Sequence, residues 1–295
     1  MRLLGVWDLV GHTGPIYTLE CDYERKLFYS AGADGIIALW SCISGKEALA
    51  IARTPTAIYA LRYVPQTQTL LVGQSTGLIY ALKPYEKKLL GAIQVHRAAV
   101  MGIHSHPTDL EGWSTGKDGF FWYWDTALAK PTDRVEVTEA GLRGFAPLPK
   151  RKLFACAGRD GVAYIIDRQS RKIIQKLSVE KQPLFSLAVS LDEDTLWVGG
   201  QSGWLYAWDV ENWTLRAAWK AHERAVNALA LHPTGKWLAT ASRDKQIHLW
   251  DTSTGERVLS LSGHQRSVNA LQWLDKEVLA SGGDDGIIKI WHLEF

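Results

Sequence analysis

Histidine, a hydroxyl residue and aspartate recur together four times in this sequence, and these are the residue types of a nucleophilic catalytic triad. In such a triad the imidazole takes the hydroxyl proton while the carboxylate orients the imidazole. A catalytic site normally occurs once in a domain, so four copies favour a structural role and we expect no catalytic residues. The four sets are His12, Ser30 and Asp34; His96, Ser114 and Asp118; His222, Thr240 and Asp244; and His264, Ser281 and Asp285.

Metal and cofactor binding are the next chemistry to weigh. His96, His104 and His106 lie close together in sequence, but His96 already belongs to one of the repeated sets. The segments GADG, GKDG, GRDG and GDDG are typical of turns rather than of a phosphate-binding loop. We therefore expect no metal and no cofactor. The cysteines are too few and too scattered for a zinc cluster or a disulfide framework: Cys21, Cys42 and Cys156.

The spacing of these residues is the strongest signal in the chain. Steps of 42 residues from His12 reach Thr54, His96, Thr138, Glu180, His222 and His264. Steps of 42 from Trp40 reach Leu82, Trp124, Ile166, Trp208 and Trp250, and Trp291 follows one residue early. A period of about 40–45 residues is typical of a propeller blade, which needs four short strands and their turns.

This repeat decides the domain organisation. A length of 295 residues favours two domains on average, but seven units of 42 use up the chain and predict one all-β domain. Within unit six, short β-rich runs alternate with turns such as HPTG and STG, which is typical of an antiparallel meander. The predicted units are 11–52, 53–94, 95–136, 137–178, 179–220, 221–262 and 263–293.

Dipeptides at fixed places in these units carry a family resemblance. Gly-His ends at His12 and His264, Ala-His at His222, and Trp-Asp begins at Trp124, Trp208 and Trp250. Seven copies in phase over nearly the whole chain resemble the WD-repeat family. The resemblance implies a seven-bladed β-propeller with four-stranded antiparallel blades. It also implies that the two ends share a blade, so residues 1–10 are expected to supply the outer strand of the last blade.

The resemblance further implies a hydrogen-bond relay inside a blade, from tryptophan to a hydroxyl, then the turn aspartate, then the histidine. Such a relay satisfies buried N–H groups and fixes the turn. Units two, four and five lack parts of it, and we expect looser turns there. The four complete relays are Trp40/Ser30/Asp34/His12, Trp124/Ser114/Asp118/His96, Trp250/Thr240/Asp244/His222 and Trp291/Ser281/Asp285/His264.

WD-repeat proteins bind partners at the narrow end of the propeller, and the resemblance implies the positions concerned. They lie three and five residues after the histidine slot and just before the turn aspartate. Large adaptable and cationic side chains stand at several of them, and these types are enriched at interaction hot spots. The predicted partner-binding residues are Tyr17, Tyr59, Met101, Lys117, Arg143, Arg159, Phe185, Asn227, Arg243, Asn269 and Asp284.

The function predicted is a non-catalytic scaffold that presents this rigid face to a protein or peptide, acidic or phosphorylated and with an apolar anchor. Two alternatives remain. One is a propeller enzyme that processes a small molecule in its central channel; the other is a nucleic-acid-binding propeller that uses the arginine and lysine cluster. The net charge of only +2 argues against nucleic acid and anionic membranes as partners.

Two tryptophan-rich segments could serve either in core packing or in binding. The run from Phe120 to Trp124 favours core packing over a stacking platform for bases. Trp213 and Trp219 are predicted to share one face of an outer strand, where a side-surface contact is conceivable. No signal peptide and no membrane-spanning segment is recognised, so we expect a cytoplasmic protein and a monomeric propeller.

Overall fold

In the computed structural model, residues 1–42, 49–106, 108–126 and 130–295 are described. These residues form seven four-stranded antiparallel sheets arranged as the blades of a propeller. The predicted all-β fold is thus confirmed. Among the described residues no helix is long and apolar enough to cross a membrane.

The first three blades are numbered in chain order, each from its innermost strand outward. Strand β1 spans Arg2–Val10 and belongs to the last blade. Blade 1 contains β2 (Ile16–Asp22), β3 (Leu27–Gly32), β4 (Ile36–Ser41) and β5 (Leu49–Arg53); blade 2 contains β6 (Ile58–Val64), β7 (Thr69–Gln74), β8 (Leu78–Lys83) and β9 (Lys88–Gln94), with a 3-10 turn at Pro65–Thr67; blade 3 contains β10 (Val100–Ser105), β11 (Glu111–Gly116), β12 (Phe120–Asp125) and β13 (Lys130–Glu136).

The remaining four blades follow the same plan. Blade 4 contains β14 (Leu142–Leu148), β15 (Leu153–Gly158), β16 (Val162–Asp167) and β17 (Lys172–Ser178); blade 5 contains β18 (Leu184–Val189), β19 (Thr195–Gly200), β20 (Trp204–Asp209) and β21 (Leu215–Lys220); blade 6 contains β22 (Val226–Leu231), β23 (Trp237–Ser242), β24 (Gln246–Asp251) and β25 (Arg257–Ser262); blade 7 contains β26 (Val268–Trp273), β27 (Val278–Gly283) and β28 (Ile287–Glu294).

The turn between the second and third strands of a blade requires a left-handed backbone. Gly119 adopts a φ of +83°, and a Cβ there would lie 1.8 Å from the carbonyl oxygen of Thr138. Glycine avoids both the strain and the clash. In blade 6 Lys245 adopts the same conformation with a φ of +77°, at the cost of strain that non-glycine residues carry in this region.

The core lies between neighbouring blades rather than within one sheet. Ile37 and Leu39 of blade 1 pack with Ile58 and Leu70 of blade 2 in one buried cluster. Equivalent clusters fill the other seams, and burial of this apolar surface is what holds the blades against one another.

Strand β1 closes the ring by pairing antiparallel with β28, from Arg2 opposite Glu294 to Val10 opposite Ile287. Leu9 is buried in the seam between blades 7 and 1. The predicted closure of the last blade by the N-terminal strand is confirmed. Trp7 is half exposed on this outer strand, so its Trp-Asp dipeptide lies outside the relay position.

Candidate functional site

The histidine, hydroxyl and aspartate sets form hydrogen-bonded chains inside blades 1, 3, 6 and 7. The expected order is wrong in one respect, because the histidine rather than the aspartate is bonded to the hydroxyl. In blade 1, Nδ1 of His12 lies 2.9 Å from Oδ2 of Asp34, and its Nε2 lies 2.7 Å from Oγ of Ser30. The indole N–H of Trp40 donates to the same Ser30 oxygen at 2.8 Å. The chain therefore satisfies every polar atom of the buried ring pair.

Blades 6 and 7 repeat this geometry. Nε2 of His222 lies 2.7 Å from Oγ1 of Thr240, which also accepts the indole N–H of Trp250 at 3.0 Å. In blade 7, the indole N–H of Trp291 donates to Oγ of Ser281 at 2.8 Å. Asp244 and Asp285 lie at 3.0 and 2.9 Å from Nδ1 of their histidines.

This connectivity is that of a catalytic triad, but the hydroxyl cannot reach a substrate. Ser30, Ser114, Thr240 and Ser281 are fully buried. A nucleophile must meet its substrate at a cleft, so the sets serve as structural links between the turn and the sheet.

The turn aspartates are held ionised by this arrangement. Burial raises the pKa of Asp244, but hydrogen bonds and charge interaction with His222, together with backbone N–H donors, outweigh burial and bring the pKa to about 2. The pKa of Asp34 is lowered in the same way: backbone N–H groups of Ile36 and Thr13 and the His12 ring outweigh the burial that opposes ionisation.

The structure differs from the predicted relay at Trp124. His96 lies 2.9 Å from both Ser114 and Asp118, but the indole N–H of Trp124 has no hydrogen-bond partner among the described residues. The reason is Gly112, which faces Trp124 across the strand pair. A Cβ at Gly112 would lie 2.5 Å from Cε2 of the indole, so the ring occupies the space that a side chain at position 112 would fill.

The blades without a full relay use other contacts. In blade 4, Oδ2 of Asp160 accepts hydrogen bonds from the hydroxyls of Thr138 and Tyr164, each at 2.6 Å. In blade 5, the Tyr206 hydroxyl donates to Glu180 at 3.3 Å. The turns of blades 2, 4 and 5 close with backbone bonds of 3.2–3.3 Å, within the 3.1–3.3 Å of the other blades. The looser turns expected there are therefore not seen in the backbone.

Seven side chains, one from each innermost strand, surround the mouth of the central channel. All seven are the second residue of their strand, and all seven were predicted. They line a cavity of about 410 Å³ and are Tyr17, Tyr59, Met101, Arg143, Phe185, Asn227 and Asn269.

A shared backbone irregularity positions these side chains. In every blade, the pairing of the first two strands skips this one residue: the register jumps from Ile16 to Thr18 around Tyr17, and from Leu142 to Gly144 around Arg143. The same skip occurs in the other five blades. A bulge leaves its extra residue out of the ladder and re-aims its side chain, here toward the channel mouth.

One side of the mouth is aromatic and cationic. The rings of Tyr17 and Tyr59 stack with centroids 4.9 Å apart at an interplanar angle of 15°. The guanidinium of Arg143 lies 5.0 Å from the centroid of Phe185, a distance at which a cation and a ring attract each other. Met101 completes this side with a flexible apolar side chain that adapts to what it contacts.

The other side is a fixed amide network. Asn269 donates to Oδ1 of Asp284 at 2.7 Å, and Asn227 donates to Oγ of Ser267 at 2.9 Å and to the Val268 carbonyl at 2.9 Å. These bonds use the amide donors within the protein, so this side provides a rigid wall rather than free hydrogen-bonding groups.

The predicted cations are gathered only in part. Lys117, Arg143 and Arg159 line one cavity of about 340 Å³ beside the channel, together with Tyr59 and Met101. Arg243 lies in the blade 6 turn and lines neither cavity. Within the described part of the chain none of these four cations forms an ion pair. The expected grouping of cations therefore holds for blades 3 and 4 and fails for blade 6.

The environment of Arg143 disfavours its charge. Burial, reinforced by the neighbouring Arg159, lowers the pKa of the Arg143 guanidinium. Solvent still reaches the side chain inside the channel mouth. A solvent-accessible guanidinium that forms no ion pair with the described residues is available to pair with an anionic ligand.

Sequence reasoning missed the second layer of the channel. Phe145, Leu187 and Leu229 line the cavity below the seven side chains. Each of these residues lies two positions after the bulged residue of its strand. Once the bulge is known, this spacing would identify them in the sequence.

The other predicted features are also placed. Phe121 and Tyr123 are fully buried between blades 3 and 4, which agrees with core packing. Trp213 packs against the seam of blades 4 and 5, whereas Trp219 packs against the seam of blades 5 and 6. The prediction that these two tryptophans share one face of the outer strand is wrong, because Trp213 precedes that strand and has a left-handed backbone with a φ of +56°. No group of three potential metal ligands occurs among the residues described.

Comparison with known proteins gives two kinds of match. A family model described as "WD domain, G-beta repeat" matches residues 3–41, 213–251 and 255–292. The chain is also similar to the "Eukaryotic translation initiation factor 3 subunit I" of Drosophila simulans, at 30% identity over 273 residues, which cover 82% of this chain and 81% of that protein.

Two further relatives extend this comparison. The protein of the same name from Nematostella vectensis is 23% identical over 264 residues, covering 82% of this chain and 80% of the relative. The "WD repeat-containing protein SL1-17" of Schistosoma mansoni is 26% identical over 159 residues, covering 54% and 52% of the two chains.

Proposed function

The chain belongs to the WD-repeat family of β-propellers, and from this premise we propose that it is a non-catalytic scaffold whose channel mouth binds a protein partner. The observation that carries the proposal is the ring of seven bulged residues. Each blade gives up one ladder position to aim a side chain at the same cavity.

The composition of the mouth favours one chemical class of partner. Tyr17, Tyr59 and Met101 offer apolar surface, and the unpaired cations at Lys117, Arg143 and Arg159 offer charge. An acidic or phosphorylated segment with one large apolar side chain fits both, because its anion would pair with the guanidinium groups while the apolar group enters the channel. The rigid amide side at Asn227 and Asn269 would limit the orientation of that segment.

The names of the relatives support a cellular setting for this proposal. Several bear the name of a subunit of a eukaryotic translation initiation factor, so they are parts of an assembly. We extend this to the present chain as part of the proposal: it works in the cytoplasm as one component of a larger protein complex.

The test is affinity purification of the tagged chain from its native cells with quantitative mass spectrometry. We compare wild type with the double variant Tyr59→Ala/Arg143→Ala, and with Arg53→Ala/Leu215→Ala as a matched control on exposed outer-strand positions. The proposal predicts that the partner is retained by wild type and by the control and lost from the channel variant.

Retention of the same partners by the channel variant, or their loss from the control alone, would show that the channel mouth is not the docking face. Circular dichroism of each variant confirms that the propeller is intact, so that loss of binding is not loss of fold.

A further inference from the structure

Strand β1 differs from the other six outer strands in its apolar exposure. Five of its large apolar side chains are exposed by 39–75%, whereas each of the other outer strands exposes at most two over its described residues. The five are Leu3, Leu4, Val6, Trp7 and Val10.

The charges of β1 are already neutralised within the chain. Arg2 pairs with Glu294, and Asp8 pairs with Lys289 at 2.6 Å between Nζ and Oδ1. Outer strands elsewhere carry cations such as Lys88, or the pair Lys172 and Lys176. Exposed lysines are a usual device against edge-to-edge association, and β1 lacks a free one.

One edge of β1 has no neighbouring strand, since β1 pairs only with β28 among the described strands. At nine residues it is also longer than the five to seven residues of the other outer strands. A long apolar edge with unpaired backbone N–H and C=O groups is a template for a further strand.

We propose that β1 pairs antiparallel with β1 of a second copy of this chain, joining two last blades into one eight-stranded sheet across a two-fold axis. Strand β1 has a bulge at Leu4, which its pairing with β28 skips. A register centred on Val6 sets Gly5 opposite Trp7 in the regular part of the strand and brings Arg2 near Val10, so no like charges oppose each other. A second copy is favoured over a charged partner because β1 has no unpaired charge to offer, and identical apolar strands are self-complementary.

The surface lies on the outer rim, so this proposal is independent of the channel mouth and departs from the monomer expected from the sequence. Because the contact is one strand wide, the dimer is expected to be weak, with a dissociation constant on the order of 1–100 µM.

The test is sedimentation of the purified full chain at protein concentrations from about 0.5 to about 500 µM, which bracket that range. Wild type should shift from monomer to dimer. Val6→Lys should remain monomeric, with its dissociation constant raised at least about tenfold. Ala217→Lys, an exposed position on the outer strand of blade 5, should dimerise as wild type does.

A second experiment reads the register and does not depend on the lysine variant folding. Val6→Cys should form a disulfide-linked dimer on oxidation with diamide, because the two Cβ atoms face each other across the axis. Val10→Cys, near Arg2, should not. The proposal is overturned if wild type stays monomeric at the highest concentration, if Ala217→Lys disrupts the dimer equally, or if Val10→Cys cross-links as well as Val6→Cys.

Discussion

The ring of Tyr17 stacks on that of Tyr59, with centroids 4.9 Å apart, so blades 1 and 2 meet at the channel mouth through two residues that leave their own strand ladders. Burial, together with Tyr59 and Asp284, raises the pKa of the Tyr17 hydroxyl, while Arg143 opposes the shift. The Tyr17 hydroxyl therefore stays protonated at neutral pH and presents a neutral aromatic ring beside the guanidinium.

This stacking predicts energetic coupling between blades. In a double-mutant cycle of Tyr17→Ala and Tyr59→Ala, urea unfolding should give a coupling energy of about 0.5–1.5 kcal/mol, the range for aromatic pairs. The pair Tyr17→Ala and Phe185→Ala serves as the control, because these two residues lie on the non-adjacent blades 1 and 5. Strict additivity in the first cycle would show that the stack contributes nothing to stability.

The relay of blade 7 predicts a large effect from one small change. Ser281→Ala leaves the indole N–H of Trp291 and Nε2 of His264 buried without a partner. We expect the free energy of unfolding to fall by about 2–6 kcal/mol, since two buried groups lose their hydrogen bonds at about 1–3 kcal/mol each. Ser253→Ala, on an exposed turn, should change it by less than about 0.5 kcal/mol. Equal effects at both positions would contradict a stabilising relay.

Gly112 and Gly91 form a matched pair for testing the displaced Trp124. Gly112→Ala should destabilise the protein by about 1–3 kcal/mol, because the new Cβ must push the indole aside. A Cβ at Gly91 meets nothing within 4 Å, so Gly91→Ala should be neutral or slightly stabilising. Both are measured by chemical denaturation. If Gly112→Ala were as harmless as Gly91→Ala, the described packing of Trp124 over Gly112 would be wrong.

Buried histidines predict a loss of stability in mild acid. His248 is 7% exposed and stacks on His222 with ring centroids 4.3 Å apart. Burial, with His222 and Arg257, lowers its pKa from 6.5 to about 4. The unfolded chain therefore protonates His248 more readily than the folded protein does. The stability that comes from burying the neutral His248 ring is complete above pH 6.5 and is lost as the pH falls toward 4.

The variant His248→Gln should show a shallower decline of unfolding free energy between pH 7 and pH 4, by about 1–3 kcal/mol over that window. A decline remains, because burial also lowers the pKa of His104 and of His264. Denaturant titrations at several pH values measure the slope. An unchanged slope would mean that His248 is not buried as a neutral ring.

Because strand β1 closes the ring, its removal is expected to lower the thermal stability of the protein. Deletion of residues 1–9 exposes the edge of β28 and the apolar residues around Leu9. The melting temperature should fall by several degrees, since each kcal/mol shifts the melt of a domain this size by about 2–4 °C. Leu4→Ala, which trims an exposed side chain and keeps the strand, is the control. An unchanged melt after deletion would contradict ring closure through β1.

Much of this architecture was predictable because the spacing of 42 residues is a property of the backbone plan. The types and positions of His12, Asp34 and Trp40 indicate a blade, and similar residues recur at the equivalent positions of other units. Trp124 shows where such reasoning ends: its type and spacing match the relay, yet the absent side chain at Gly112 redirects the ring. The position of the Trp124 ring depends on packing between two neighbouring strands, which cannot be read from the residue at one position of the repeat.

In the candidate site, too, some features could be predicted from the sequence and others could not. The period placed Tyr59, Met101 and Arg143 in equivalent positions, so their convergence could be predicted. The bulge that aims them, and the separation of Arg243 from the other cations, depend on strand pairing and turn geometry. Neither has a sequence signature independent of the three-dimensional arrangement.

Photo-cross-linking tests the central claim most directly. The photoreactive residue p-benzoylphenylalanine is placed at Tyr59 in the channel mouth or, as a control, at the exposed Ile174 on the outer strand of blade 4, and irradiated in native cell extract. The account predicts a discrete partner cross-linked from position 59 and absent from position 174. Cross-links to the same partner from position 174, with none from position 59, would contradict it.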